Sequence, residues 1–207
     1  MKNILSLFCL LSVYVFISCS EKKTDDQKNS VQNPPAAESN MANDGVVIDK
    51  QSQPDTLKGS LKAYATGKVG DAEIKITYHS PAVRDRIVWG GLVPFDKVWV
   101  TGAHMATAFE INKDFEVDGK TIPAGKYAIF TIPGKEKWTF ILNKKWKQHL
   151  ADEYNANDDV VRVMLQPETE EPHQERLRYE IEAEGDNEAE IVFYWNKFEV
   201  SLPIKIK

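Results

Sequence analysis

Lys126-Tyr127-Ala128-Ile129-Phe130-Thr131-Ile132, followed past Pro133-Gly134 by Trp138-Thr139-Phe140-Ile141-Leu142, is the stretch that decides the fold. Both runs are rich in β-branched and aromatic residues, both are too short for a stable helix, and a turn dipeptide separates them. Apolar side chains fall on both faces of each run, the pattern of a strand covered on two sides. Ile191-Val192-Phe193-Tyr194-Trp195 repeats it. Elsewhere the alternation is one-sided. Ile74, Ile76 and Tyr78 alternate with Glu73, Lys75, Thr77 and His79, while Leu177, Tyr179, Ile181 and Ala183 alternate with Arg176, Arg178, Glu180 and Glu182. Val200, Leu202, Ile204 and Ile206 continue the period of two to the end of the chain, as half-buried strands require. Asp118-Gly119, Pro123-Ala124-Gly125 and Gly185-Asp186-Asn187 supply turns between them. The predicted class is therefore mainly β: an antiparallel β-sandwich, jelly-roll-like or barrel-like, with one short helix. That helix is expected over 144–153, where Trp146, Leu150 and Tyr154 share a face that covers an open end of the sandwich.

The chain opens with Lys2, an apolar run from Ile4 to Ile17, and Ser18 directly before Cys19. An apolar stretch of about 14 residues is short for a bilayer span and suits a cleavable secretory segment. Residues 1–19 read as a bacterial lipoprotein signal ending in a lipidated Cys19. Residues 20–58 are dominated by Glu, Lys, Asp, Gln, Asn, Ser, Pro and Ala, and they bury too little apolar area to offset their ordering entropy. They are expected to form a disordered tether with an r.m.s. span of about 35 Å. Residues 59–207 then make a single domain, held at the cell envelope through the lipid on Cys19 and facing the periplasm or the cell surface. Cys9 leaves with the signal and Cys19 carries lipid, so thiol catalysis, disulfides and cysteine-based zinc sites are excluded from the domain. A net charge of −5 gives no footprint for nucleic acid.

Between Tyr78 and Ile132 five short motifs cluster: Ser80-Pro81, Asp85-Arg86, Leu92-Val93-Pro94, Trp99-Val100-Thr101-Gly102-Ala103 and Pro123-Ala124-Gly125-Lys126-Tyr127. Together with Trp138-Thr139 and Asn143 they resemble the bacterial DUF2911 family. The resemblance covers most of residues 60–207 and implies an exported, mainly β domain; it supplies no activity and no catalytic residues. The chain departs from the family pattern twice. Asp85 stands where glycine is expected, and His104-Met105 stands where Asn-Glu is frequent.

Strand parity marks a candidate site. A strand over 106–111 puts Thr107, Phe109 and Ile111 on one face and Ala106, Ala108 and Glu110 on the other, with His104 in line if the strand extends backward. Two alanines between a histidine and a carboxylate make a shallow floor with polar ends, near which Arg86 and His79 are expected. Trp89, beside Gly90-Gly91, and Trp99 are candidates for exposed aromatic contacts. One reading makes Arg86, Trp89, Trp99, His104 and Glu110 the ligand-binding residues of a non-catalytic module for a glycan, a peptide or a small molecule. A competing one pairs Arg86 with Glu110 structurally and leaves His104 an exposed loop residue. An enzymatic alternative, a metal-assisted hydrolase or isomerase, needs His79, His104 and Glu110 to converge on an ion, although no metal-binding spacing is present. A third makes the protein an envelope scaffold acting through an exposed sheet edge. No motif calls for a cofactor: Gly90-Gly91 has no phosphate-binding helix behind it.

Overall fold

The computed structural model describes residues 45–207. The signal segment, Cys19 and the first part of the tether lie outside the described residues. In chain order the strands are β1 (Leu61–Val69), β2 (Ala72–Ser80), β3 (Thr107–Ile111), β4 (Phe115–Val117), β5 (Lys120–Ile122), β6 (Gly125–Ile132), β7 (Trp138–Asn143), β8 (Asp159–Leu165), β9 (Glu168–Ala183) and β10 (Glu188–Ile206). They form two antiparallel sheets, ordered β1-β2-β3-β6-β7-β8 and β5-β4-β10-β9. The sheets pack face to face as a sandwich and do not close into a barrel.

Each two-sided apolar run lies in the middle of its sheet. On β6 and β7, Tyr127, Ile129, Trp138, Phe140 and Leu142 enter the main core with Phe193 and Trp195 of β10. The alternate residues Ala128, Phe130 and Ile141 join Val100 and Ala106 in a second cluster on the outer face of the six-stranded sheet. Full burial of such side chains stabilises by about 1.5–3 kcal/mol each, so the β6–β7 hairpin contributes to the core from both of its faces.

β10 doubles back on itself. The Ile206 amide donates to the Asn187 carbonyl at 2.7 Å, and Lys205 pairs with Glu188 at 2.8 Å. A straight strand would separate such residues by more than 50 Å at about 3.3 Å per residue. Asn196 takes φ 59°, a left-handed value that asparagine tolerates, and lies midway between these contacting ends.

Two expectations are corrected. No helix forms over 144–153. The Ala106 amide donates to the Gln148 carbonyl at 3.0 Å and the Leu150 amide to the His104 carbonyl at 2.6 Å, while Leu150 itself takes φ 46°. Backbone groups that a helix needs are committed to a neighbouring segment, and a left-handed residue interrupts any helical turn. The Asn143 side chain, which accepts from the Lys145 amide at 2.8 Å, fixes the coil entry. Ala151 of this coil and Tyr154 just after it cover the second apolar cluster on the sheet face, while Trp146 and Leu150, the other residues of the expected apolar face, stay exposed.

Residues 45–58, assigned by composition to the tether, lie along the domain as a strap. Val46 donates to the Lys62 carbonyl and accepts from the Tyr64 amide, both at 3.0 Å, and Ile48 is buried in the main core. Further on, Asp55 forms a bidentate pair with Arg176, whose side chain is 1% exposed. Arg176 also donates to the carbonyls of Leu57, Gly59 and Ser80. The apolar content of the strap is small, but one buried arginine needs it.

Candidate functional site

The Trp99-Val100-Thr101-Gly102-Ala103 motif is a turn tying the sheets together. Thr101 is fully buried at φ 49°, a costly conformation for a β-branched residue. Hydrogen bonds hold it there: its carbonyl accepts from Thr107 Oγ1 and from Tyr179 Oη of the opposite sheet, each at 2.9 Å, and its hydroxyl meets Thr131 Oγ1 at 3.1 Å. Trp99 Nε1 donates to the Gly102 carbonyl at 3.0 Å. A Cβ on Gly102 would lie 2.8 Å from Thr107 Oγ1, so only glycine fits between Thr101 and β3. The Ala103 amide then donates to the His79 carbonyl at 3.1 Å, which sets the next residue, His104, beside the end of β2.

The His79 and His104 rings meet edge to face, with centroids 5.2 Å apart. His79 is half-buried and His104 exposed. Burial holds the His79 pKa below the ordinary 6.5, and the neighbouring His104 and Lys62 push it the same way. It therefore stands neutral at pH 7, able to donate through one ring nitrogen and accept through the other.

Next to this pair, the outer face of the six-stranded sheet carries a cleft of about 180 Å³. Its small lining residues are Thr77, Ala106 and Ala108, while His104 and Glu110, the expected polar ends of the alanine floor, are not among the lining. Lys62, Lys126 and Lys147 line it together with His79, and Trp146 and Met105 add apolar surface. Trp146 is 37% exposed and carries the Lys126 ammonium 4.4 Å from its ring centroid. Lys126 also pairs with Glu110 at 3.2 Å. Lys62, Lys126 and Lys147 make this a lysine-rich spot on an acidic chain.

The remaining expected site residues lie elsewhere or do structural work. Arg86 caps the loop after β2, donating from Nε to the Val83 carbonyl at 3.0 Å and from Nη2 to the Ala82 carbonyl. Glu110 pairs with Lys126 instead. Trp89 and Trp99 are not an exposed platform. Trp89 packs edge-on against Trp99, Trp138 and Trp195, and Trp99 stacks on Trp195 with centroids 5.5 Å apart. Glu110 lies opposite Lys75 on β2, four residues from His79 along that strand, or about 13 Å. His79, His104 and Glu110 therefore do not converge, and among the described residues no group of three or more His, Cys, Asp and Glu side chains is placed to hold a metal.

Sequence reasoning missed Lys62, Lys126, Lys147 and Trp146. Lys62 stands opposite His79 in the β1–β2 register, a signal that needs the strand pairing. Trp146 was assigned to a helix face, which placed its ring on the wrong side of the problem.

The sequence profile described as protein of unknown function, DUF2911, matches residues 60–204. The chain belongs to the DUF2911 family. No curated protein and no solved structure matches it. Asp85 at φ 55° and His104 at φ 62° both stand at left-handed positions, a backbone that glycine and asparagine tolerate best.

Proposed function

We propose that the protein is a non-catalytic binding module, exported and held at the bacterial envelope by lipid on Cys19, whose outer-face cleft takes an anionic ligand, an acidic sugar before others. The observation that carries this reading is the cleft itself: Lys62, Lys126 and Lys147 around a floor of alanines, beside the exposed indole of Trp146. Lysines supply charge without fixed geometry, the alanines leave room for a ring, and an indole face packs against the C–H face of a sugar. At about 180 Å³ the cleft is smaller than the roughly 300–1,000 Å³ of sites that enclose drug-sized molecules. It therefore grips one residue-sized group of a ligand whose remainder stays in solvent. Export rests on the signal pattern before Cys19, which places such a module where envelope polysaccharides are found.

The test is titration with galacturonate oligosaccharides and their neutral galactose counterparts, followed through Trp146 fluorescence. Binding of the acidic series alone, weakened about tenfold or more in a Lys62→Gln, Lys126→Gln double variant, is expected. Equal binding of the neutral series, or of neither, overturns the reading.

A further inference from the structure

A larger cavity, about 570 Å³, opens between the strap, β1 and β9. Val47, Ile48, Asp49 and Lys50 of the strap line it, as do Ala65 and Thr66 of β1. Its remaining lining includes Arg178, Glu180 and Glu182 of β9 and Tyr194 of β10. This volume lies within the roughly 300–1,000 Å³ typical of small-molecule sites, unlike that of the lysine-lined cleft.

Arg178 sets the chemistry. It is 5% exposed, with its guanidinium carbon 4.1 Å from the Tyr194 ring centroid and Nη1 paired with Glu180. Its Nε–H is buried and has no acceptor. A buried donor of this kind is destabilising unless something fills it, and the planar guanidinium edge suits a carboxylate. Glu180 holds Nη1, which shares no edge with Nε–H, so a carboxylate bonding Nε–H does not have to displace it. Close by, Tyr194 Oη donates to Glu182 Oε1 at 2.7 Å and fixes that carboxylate in place. Asp49 adds a second carboxylate from the strap, and Lys50 a second cation.

A purely anionic ligand meets Asp49, Glu180 and Glu182, and a purely cationic one meets Arg178 and Lys50. We propose that this cavity is a second ligand site, distinct from the lysine-lined cleft, which takes a small zwitterion such as a free amino acid or a dipeptide. The ligand carboxylate lies on Arg178 and its ammonium group on Glu182 and Asp49. Because four strap residues line the cavity, the site is complete only with the strap docked.

The experiment titrates the protein with glycine, alanine and dialanine, and with N-acetylated and C-amidated dialanine, by calorimetry and amide NMR. At least one free zwitterion is expected to bind saturably at about 1 mM or tighter, with each blocked form about tenfold or more weaker. Arg178→Gln abolishes binding. Glu182→Gln keeps the acceptor for Tyr194 but removes the charge, so it is the variant that decides if Arg178→Gln does not fold; it too is expected to bind about tenfold more weakly. The Lys62→Gln, Lys126→Gln double variant binds the zwitterion unchanged, which separates this site from the cleft. No saturable shift with any of the three free compounds, equal binding of the blocked forms, or insensitivity to Glu182→Gln overturns the proposal.

Discussion

His104 and Asp85 stand where the backbone is left-handed. At φ 62° and φ 55° both residues carry the cost of a left-handed conformation, a cost glycine does not bear. Asp85→Gly is therefore expected to stabilise by about 0.5–1 kcal/mol, visible as a rise in Tm of roughly 2 °C. A fall instead would mean that the Asp85 side chain makes a contact that outweighs the strain. His79 gives a pH prediction. Its folded-state pKa lies below the ordinary 6.5, so between the two values the unfolded chain binds more protons than the native one. Stability contributed by neutral His79 is present above about pH 6.5 and is lost as the pH falls through the depressed value. Its imidazole resonance should titrate with a midpoint below that of a free histidine and move upward in His104→Asn, which removes one source of repulsion. Asp55 works with the same sign: the Arg176 hydrogen bond holds its carboxyl below the ordinary 3.8. Its contribution is whole above that value and fades as acid protonates it.

At the scale of elements, the strap and the coil over 144–153 are where composition misleads. The strap reads as linker because its apolar residues are few, yet Arg176, 1% exposed, depends on its Asp55. Asp55→Asn leaves that guanidinium buried without its counter-charge and is expected to cost about 3 kcal/mol, measured as a lowered urea midpoint. A change below about 0.5 kcal/mol would show that the strap is not latched by this pair. The coil carries a helical apolar spacing, but its backbone is bound to residues 104–106, and far-UV circular dichroism should show no α-helical signature. The strands were legible because a period of two survives in any sheet; Thr107, Phe109 and Ile111 face the core as their parity requires. The strap and the coil were not, since their structure comes from partners elsewhere in the chain, Lys62, Tyr64 and Arg176 for the strap and residues 104–106 for the coil, that no local pattern records.

For the whole molecule, the placing of Ala106 and Ala108 on the face opposite Phe109 and Ile111 could be read from β3 parity. The lysines and Trp146 could not, because Lys62, Lys126 and Lys147 come together only once β1, β6 and the coil are placed beside one another. The aromatic residues show the opposite failure. Trp89 and Trp99, next to glycines and in a short strand-like run, suggest exposure by local sequence, yet both are drawn into a cluster with Trp138 and Trp195 that seals one part of the core. Cutting Trp99 to Ala removes that stack and its bond to Gly102, and a loss of about 3–5 kcal/mol is expected, read by thermal unfolding. The measurement that tests the central claim most directly is amide and indole NMR of the protein during titration with a galacturonate trisaccharide at two salt concentrations. The account predicts saturable shifts confined to Lys62, His79, Ala108, Lys126 and the Trp146 indole, weakening as salt rises. Shifts scattered over other faces, or none at these residues, would contradict it.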